Sequence, residues 1–156
     1  MNDYIVYPTQ GVGKIIGIEE IKIKNQKKQY YVIEIMEKKL IIKLPVENVE
    51  AAGIRNVIDK NEIKKVLKIL EQEAEIPEED WKIRYQNNLQ KIKSGSIFEI
   101  AKVCRNLYKR AKDKELSLME RRLYETAFSL VTGEIAIAKG ISLEESKNLV
   151  SDILSK

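Results

Sequence analysis

The spacing of apolar residues changes near Gly53, and this change constrains the fold more than any other feature. Before it, short runs of Ile, Val and Tyr alternate with turn residues, which is typical of strands in a small twisted sheet or barrel. After it, apolar residues recur at helical spacing. The predicted strands are 4–7, 14–23 (opened by Gly11-Val12-Gly13), 29–36 and 40–44, with a turn at 25–27. We therefore expect an α+β chain of two modules, 1–53 and 54–156.

Four capping-box patterns support the helical module. In each, a Ser or Asp can accept a hydrogen bond from a backbone amide at the helix start, while an acid three residues later reaches back. The pairs are Asp59 with Glu62, Ser96 with Glu99, Ser117 with Glu120, and Ser142 with Glu145. Pro77 to Asp80 indicates one more helix start. The predicted helices are 59–71, 78–92, 96–112, 117–138 and 142–154. The joint between modules is expected at 50–58 or within 71–77.

Charge is distributed unevenly along the chain. There are 28 basic and 24 acidic residues, a net charge of +4. The stretch from Glu71 to Asp80 holds six acids and no base, whereas Lys82 to Arg122 holds twelve bases and four acids. Such a basic block is the footprint expected of a nucleic-acid surface, although a solvated helical face gives the same composition.

The chain lacks the residues that several kinds of catalytic, phosphate-binding and metal-binding site require. The chain has no histidine, and its one cysteine, Cys104, falls in an apolar helical series that predicts a core position. Gly11-Val12-Gly13 lacks the remainder of a phosphate loop, and the acids of 71–80 lack the spacing of a calcium loop, so a solvated linker is favoured there. We expect no enzymatic activity, cofactor or metal. Because there is no apolar run of membrane-spanning length and no disulfide pair, we expect a cytoplasmic protein.

The third predicted helix carries a basic stripe. Its cations Lys102, Arg105, Lys109 and Lys112 fall on one face, opposite the apolar face of Cys104. Arg110 borders this stripe, and Arg121 and Arg122 lie in the first turn of the next helix, where the helix dipole disfavours cations. The pattern predicts that one face packs while the other lies along phosphates.

The only tryptophan, Trp81, leaves two interpretations open. It follows the acidic stretch and precedes Lys82, Arg84 and Tyr85. A lone tryptophan near a helix start is commonly a packing anchor. The other interpretation is an exposed wedge for DNA base steps, flanked by cations that hold the backbone.

An ordered set of short matches along nearly the whole chain resembles the CarD/CdnL family of bacterial RNA polymerase-binding regulators. In the N-terminal part these are Val6-Tyr7-Pro8, Gly11-Val12-Gly13, Tyr31-Val32, Leu44-Pro45-Val46-Glu47-Asn48 and Gly53-Ile54-Arg55. In the C-terminal part they are Trp81, Arg84-Tyr85, Asn88-Leu89, Ser94-Gly95, Ala101-x-Val103, Arg105-Asn106-Leu107, Leu116-Ser117, Glu120-Arg121-Arg122 and Gly133-Glu134-Ile135-Ala136. Departures from the family are Thr9-Gln10 before Gly11, where the family has a histidine, Ile21, near which some relatives have an arginine, and Gln86, near which some have a lysine.

The resemblance implies a Tudor-like N-terminal domain that docks on the polymerase β subunit, and a helical domain that contacts promoter DNA at the upstream edge of the bubble. Trp81 would wedge into the minor groove and slow bubble collapse. From the resemblance and the basic segment together, the expected DNA-contacting residues are Trp81, Arg84, Tyr85, Arg105, Lys109, Arg110 and Arg121. The implied polymerase-contacting residues are Ile21, Lys43, Leu44 and Pro45.

The expected function is therefore a transcription regulator that stabilises the promoter open complex. We expect a monomer that is associated with the nucleoid through RNA polymerase, without membrane contact. The alternative is a protein-interaction adaptor that binds polymerase without touching DNA. Salt dependence would separate the two, because phosphate contacts make DNA affinity fall steeply with salt.

Overall fold

The computed structural model describes residues 3–156; Met1 and Asn2, at the start of the predicted first module, lie outside the described residues. The chain divides into two compact units, one ending at Val57 and the other spanning Ile58–Lys156. The first unit is an antiparallel sheet and the second is helical, so the predicted α+β class is confirmed. Among the described residues no single helix is long and apolar enough to cross a membrane, and the last two helices pass that test only together, across a 117° bend.

The N-terminal unit is built on strands that pair in the order β4-β3-β2-β1-β5 in the described part of the chain. Their bounds are β1 Tyr4–Tyr7, β2 Gly11–Ile23, β3 Gln26–Ile35, β4 Leu40–Pro45 and β5 Arg55–Asn56. One face of this sheet buries Ile5, Ile33, Ile35 and Leu44 as a small core. Gly13 lies against this core, and a β-carbon there would come within 2.7 Å of Ile33 Cγ2, so the close approach of β2 and β3 needs glycine.

The hairpin between β2 and β3 is tighter than predicted. Ile23 pairs with Gln26, and the two residues between them, Lys24 and Asn25, both have positive φ angles. Such a two-residue turn matches the natural twist of paired strands. The predicted turn at 25–27 is therefore wrong by one or two residues, because β3 already begins at Gln26.

The short strand β5 was not predicted from the sequence. Arg55 and Asn56 pair with Val6 and Ile5 of β1, which places these two residues in the sheet unit. The division between units thus falls after Val57, within the joint expected at 50–58 but beyond the expected module boundary at Gly53. The alternative joint within 71–77 is wrong, since that stretch lies inside the helical unit.

The helical unit has α-helices close to the predicted positions. Their bounds are α1 Lys60–Glu71, α2 Trp81–Lys93, α3 Ile97–Asp113, α4 Leu118–Lys139 and α5 Leu143–Leu154. Asp59, Ser96, Ser117 and Ser142 each accept a hydrogen bond from the backbone amide three residues later, which confirms all four predicted helix starts. The acid reaches back only at Asp59 and Ser142, because Glu99 pairs with Lys102 and Glu120 with Arg84. Helix α2 starts at Trp81 rather than at residue 78, because Asp80 provides the cap.

The core of this unit is separate from that of the sheet. It is formed mainly by α1, α3, α4 and α5, with Leu70, Leu107, Ile135 and Leu154 almost fully buried. Cys104 is buried as well, so its predicted core position is confirmed, and burial raises the pKa of its thiol to about 12. The thiol is therefore protonated and unreactive at neutral pH.

Candidate functional site

Trp81 begins α2 and lies outside the buried core. Half of its surface is exposed (50%), and Lys82 Nζ lies 5.9 Å from its ring centroid. Asp80 accepts hydrogen bonds from the backbone amides of Lys82 and Ile83, at 2.9 Å and 3.4 Å, and so fixes the first turn. The core among the described residues forms without this ring, so Trp81 is not a core residue, and the wedge interpretation stays a prediction.

Arg84, one turn after Trp81, is buried against α4. Its Nε and Nη2 donate to the two carboxylate oxygens of Glu120, both at 2.9 Å, and its Nη1 donates to the carbonyl of Glu78 at 2.8 Å. The hydrogen bonds from Arg84 lower the pKa of Glu120 despite burial, and Glu120 in turn raises the pKa of Arg84. Such two-pronged pairing fixes both side chains and joins α2 to α4.

Arg105, on α3, is also buried, at only 2% exposure. Its guanidinium donates to Asn106 Oδ1 (3.1 Å), the Ile69 carbonyl (3.2 Å), Gln72 Oε1 (3.4 Å) and Glu75 Oε1 (2.9 Å). The predicted solvent-facing stripe on this helix is therefore wrong at Arg105. Helix α3 packs on several neighbours, and a buried guanidinium needs all of these acceptors.

The other predicted cations differ in how they are used. Lys109 donates to the carbonyls of Leu154 and Lys156, at 3.1 Å and 3.5 Å, at and just beyond the end of α5. Arg110 is about one-fifth exposed and lies 4.0 Å from Glu120, whereas Arg121 is half exposed with a distant contact to Glu115. Arg121 is therefore the most accessible of the arginines that the resemblance assigns to DNA.

The remaining members of the predicted basic face vary in exposure. Tyr85 is partly buried against the helical core, while Lys82 and Arg122 are exposed. On α3, Lys102 pairs with Glu99 at 3.4 Å, and Lys112 Nζ lies 4.9 Å from the Tyr108 ring centroid. The exposed cations of the predicted face thus lie at the starts of α2 and α4 more than on α3.

The segment between α1 and α2, which we call the strap (residues 72–80), follows an irregular path across this unit. It is exposed throughout, yet Gln72, Glu75 and Glu78 contact the two buried arginines. Together with α2 and α3 it borders a groove of about 660 Å³. Sequence reasoning missed Glu75 and Glu120 as partners of the arginines; an acid inside a basic block was the one available signal for Glu120.

The predicted polymerase-contacting residues divide between the two faces of the sheet. Lys43 of β4 pairs with Val32 of β3, which in turn pairs with Gly17 of β2. In the same way, Pro45 pairs with Tyr30, which in turn pairs with Glu19. Directly opposed residues share a face, so Lys43, Pro45 and Ile21 lie on the face away from the core. Lys43 Nζ is 2.9 Å from Glu19 Oε2, and each side chain is about half exposed. Leu44 points the other way.

Leu44 is a core residue, and its predicted place on the docking surface is wrong. It is 8% exposed and packs with Ile33 and Ile35. Strand alternation requires this, because its neighbours on both sides lie on the outer face. Within residues 3–156, β4 has a partner strand on one side only, and Ile41 on this edge strand is 47% exposed.

Comparison with known proteins assigns both units. Residues 1–58 match the sequence model of the CarD-like/TRCF RID domain, and residues 65–151 match that of the CarD C-terminal domain. The chain is also similar to a Bacillus subtilis (strain 168) protein named "Putative transcription factor YdeB", with 33% identity over 148 residues, which cover 95% of this chain and 97% of that protein. The order and extent of these matches confirm the resemblance read from the short motifs. The chain therefore belongs to the CarD family of transcription factors.

Proposed function

We propose that this transcription regulator docks on the β subunit of RNA polymerase through its sheet unit. We further propose that its helical unit stabilises the promoter open complex by contacting DNA at the upstream edge of the bubble. The observation that carries the proposal is the exposed ring of Trp81 at a capped helix start. An exposed apolar ring beside cations suits insertion at a base step of the minor groove.

The cations that suit phosphate contacts are those left accessible by the fold. Lys82 flanks the ring directly, and Arg121 is half exposed at the start of α4. Arg110 and Lys109 offer partial access. Phosphate contacts of this kind position a protein without reading sequence, so the effect would extend over many promoters. Arg84 and Arg105 contribute in another way, because their guanidiniums are occupied inside the unit.

The outer face and edge of the sheet support the polymerase contact. Strand β4 has a free edge in the described part of the chain, and an edge strand can bind a partner by extending the sheet. Lys43 and Pro45 lie on this strand, and Ile21 shares their face. The ion pair between Lys43 and Glu19 is exposed, and such pairs stabilise a fold by at most about 1 kcal/mol. A partner carboxylate can therefore replace Glu19 at little cost.

The decisive measurement is the lifetime of the open complex with wild-type protein and with Trp81→Ala. Loss of a ring worth about 1.4 kcal/mol shortens the lifetime about tenfold. The melting temperature should stay near that of the wild type, because the ring is half exposed. Ile83→Ala is the matched control, since Ile83 lies in the same turn and is 49% exposed. An unchanged lifetime with Trp81→Ala would overturn the DNA part of the proposal.

Polymerase docking is tested by the pair of charge reversals Lys43→Glu and Glu19→Lys. Lys43→Glu alone should weaken binding to the β subunit by about tenfold, through both on-rate and affinity. The double variant restores the ion pair with reversed charges and serves as the folding control. If binding needs a cation at position 43, the double variant remains defective. Full binding by Lys43→Glu would place the docking surface elsewhere.

A salt series separates the proposal from an adaptor that does not touch DNA. Polymerase complexes carrying the protein should lose their added lifetime as salt rises, because released counterions weaken phosphate contacts. An adaptor acting through a second protein would lack this added slope. Arg121→Ala should reduce the slope by about one ion if it contacts a phosphate.

A further inference from the structure

We infer that Arg105 and Arg84 act as positioning residues that clamp the strap and thereby fix Trp81 in the orientation needed for DNA. This inference rests on the function proposed above. It assigns the two arginines a role other than direct phosphate contact, and it gives the acidic residues of the strap a role that composition alone does not indicate.

The strap has no apolar anchoring of its own. All nine of its residues are exposed, and Ile76 is 97% exposed. A chain segment without a buried residue loses conformational entropy when it is held in one path, so that path must be fixed by specific hydrogen bonds. The contacts with the two arginines and with Asn106 are therefore what hold it.

Arg105 is the main clamp. Its Nη2 donates to Glu75 Oε1 at 2.9 Å, and Asn106 Oδ1 accepts both from Arg105 Nε and from the backbone amide of Glu75, each at 3.1 Å. Side chain and backbone of Glu75 are thus held together on α3. Gln72, at the beginning of the strap, accepts from the same guanidinium. Charge-assisted bonds from a buried, rigid fork are stronger than neutral ones.

Arg84 clamps the other end. Its Nη1 donates to the carbonyl of Glu78, three residues before Trp81, while its two remaining bonds anchor it to Glu120 on α4. Asp80, the last residue of the strap, caps α2. The backbone from which the Trp81 ring projects is therefore held from both sides, by the strap and by its own helix. A group held in its bound orientation before binding loses less entropy when it binds.

The same contacts allow a second interpretation, which predicts the opposite change in open-complex lifetime. The carboxylate of Glu75 could instead compete with phosphates for Arg105 and so inhibit DNA binding. Removing its charge would then strengthen the open complex, whereas removing a clamp would weaken it. Glu75 is about half exposed, and when it is changed Arg105 keeps its acceptors Asn106, Ile69 and Gln72.

The first experiment follows the fluorescence anisotropy of Trp81 in the free full-length protein, where the ring is the only tryptophan. Glu75→Ala should increase nanosecond motion of the ring, and Glu75→Gln should increase it less, because the amide oxygen can still accept from Arg105. Glu73→Ala is the control, since Glu73 lies in the strap but takes no part in the contacts seen among the described residues. Equal motion in Glu75→Ala and Glu73→Ala would overturn the clamp.

The second experiment measures open-complex lifetime with the same variants. Glu75→Ala should shorten it about threefold relative to Glu73→Ala, as expected for the loss of one hydrogen bond, while Glu75→Gln stays closer to wild type. Longer lifetimes with both Glu75 variants would overturn positioning in favour of competition. If Trp81→Ala leaves the lifetime unchanged, the proposed function fails, and the anisotropy result alone still decides whether the strap fixes the ring.

Arg105→Lys gives an independent check. A direct phosphate contact would largely survive this change, because the charge is kept. A clamp would not survive it, because one ammonium cannot replace the planar fork that reaches Glu75, Gln72 and Asn106 together. Increased ring motion in a variant with near-native helix content supports positioning. Wild-type ring motion and lifetime in this variant would overturn it.

Discussion

Lys43 and Glu19 pair on the outer face of the sheet with both side chains about half exposed, whereas Arg84 and Glu120 pair inside the helical unit with side-chain exposures of 9% and 4%. The nitrogen–oxygen distances are the same, 2.9 Å. Water competes with the first pair and leaves its cation available to a partner, while the second pair is committed to the fold. Burial, rather than charge or distance, thus decides which cations can take part in recognition.

The largest effect is expected when the buried pair is broken. Glu120→Ala leaves Arg84 as an unpaired buried cation and should lower the free energy of unfolding of the helical unit by about 3–5 kcal/mol. Urea unfolding followed by helix circular dichroism measures this. Glu125→Ala, an exposed acid on the same helix, should change it by less than about 0.5 kcal/mol. If the two variants lower the free energy of unfolding equally, the buried position of the pair does not matter for stability.

Adjacent residues of β4 sharpen the comparison within the sheet. Leu44→Ala should destabilise the sheet unit by about 2–4 kcal/mol, because it opens a cavity beside Ile33 and Ile35. Lys43→Ala should cost less than about 0.5 kcal/mol, as for other surface changes. Hydrogen exchange of the β3 and β4 amides reports on this unit separately from the helices. A costly Lys43→Ala would contradict the outer-face assignment.

Low pH should reduce the stability that the buried pair of Arg84 and Glu120 gives to the fold. Arg84 lowers the pKa of Glu120 in the folded state. In the unfolded chain the pKa of Glu120 returns to the ordinary value of a glutamate, about 4.3. The stabilisation is therefore fully present above that unfolded value and is lost as the pH falls through the lower folded value. Urea unfolding between pH 6 and about pH 2.5 should show a steeper loss for wild type than for Glu120→Gln. If the free energy of unfolding falls equally with pH in both proteins, the lowered pKa of Glu120 is contradicted.

The smallest change in stability is expected for Lys109, which is partly exposed and makes hydrogen bonds within the fold. Its ammonium donates to carbonyls at and beyond the end of α5, so Lys109→Met should cost about 0.5–1 kcal/mol. Lys65→Met, an exposed lysine of α1, is the control. If the two variants have equal stability, the contact to Leu154 and Lys156 contributes nothing and Lys109 is free for phosphates.

Periodicity was enough to predict the elements, because each long strand or helix buries one face and carries its own turn or cap signals. The same alternation already implied that Lys43, Leu44 and Pro45 cannot all lie on one face. The burial of Arg84 and Arg105 was beyond such reasoning. Their carboxylate partners, Glu120 and Glu75, lie 36 and 30 residues away in the chain, and Glu75 belongs to a segment without periodicity.

Strand β5 and the strap show which parts of the fold local sequence patterns do not predict. Strand β5 has two residues, too few for any alternation, and is recognisable only through its pairing with β1. The strap has the composition of a solvated linker and is exposed like one, yet its contacts are specific. Exposure of Trp81 could not be settled either, because both interpretations place a tryptophan at a helix start.

Two units with separate cores on one chain can bind two partners at once. If polymerase holds the sheet unit, the helical unit is confined near the promoter at an effective concentration on the order of millimolar, set by the short connection at Val57. Under that confinement a DNA contact of only millimolar intrinsic affinity is occupied about half the time. A helical unit that uses two arginines internally can thus act on promoters without binding free DNA measurably.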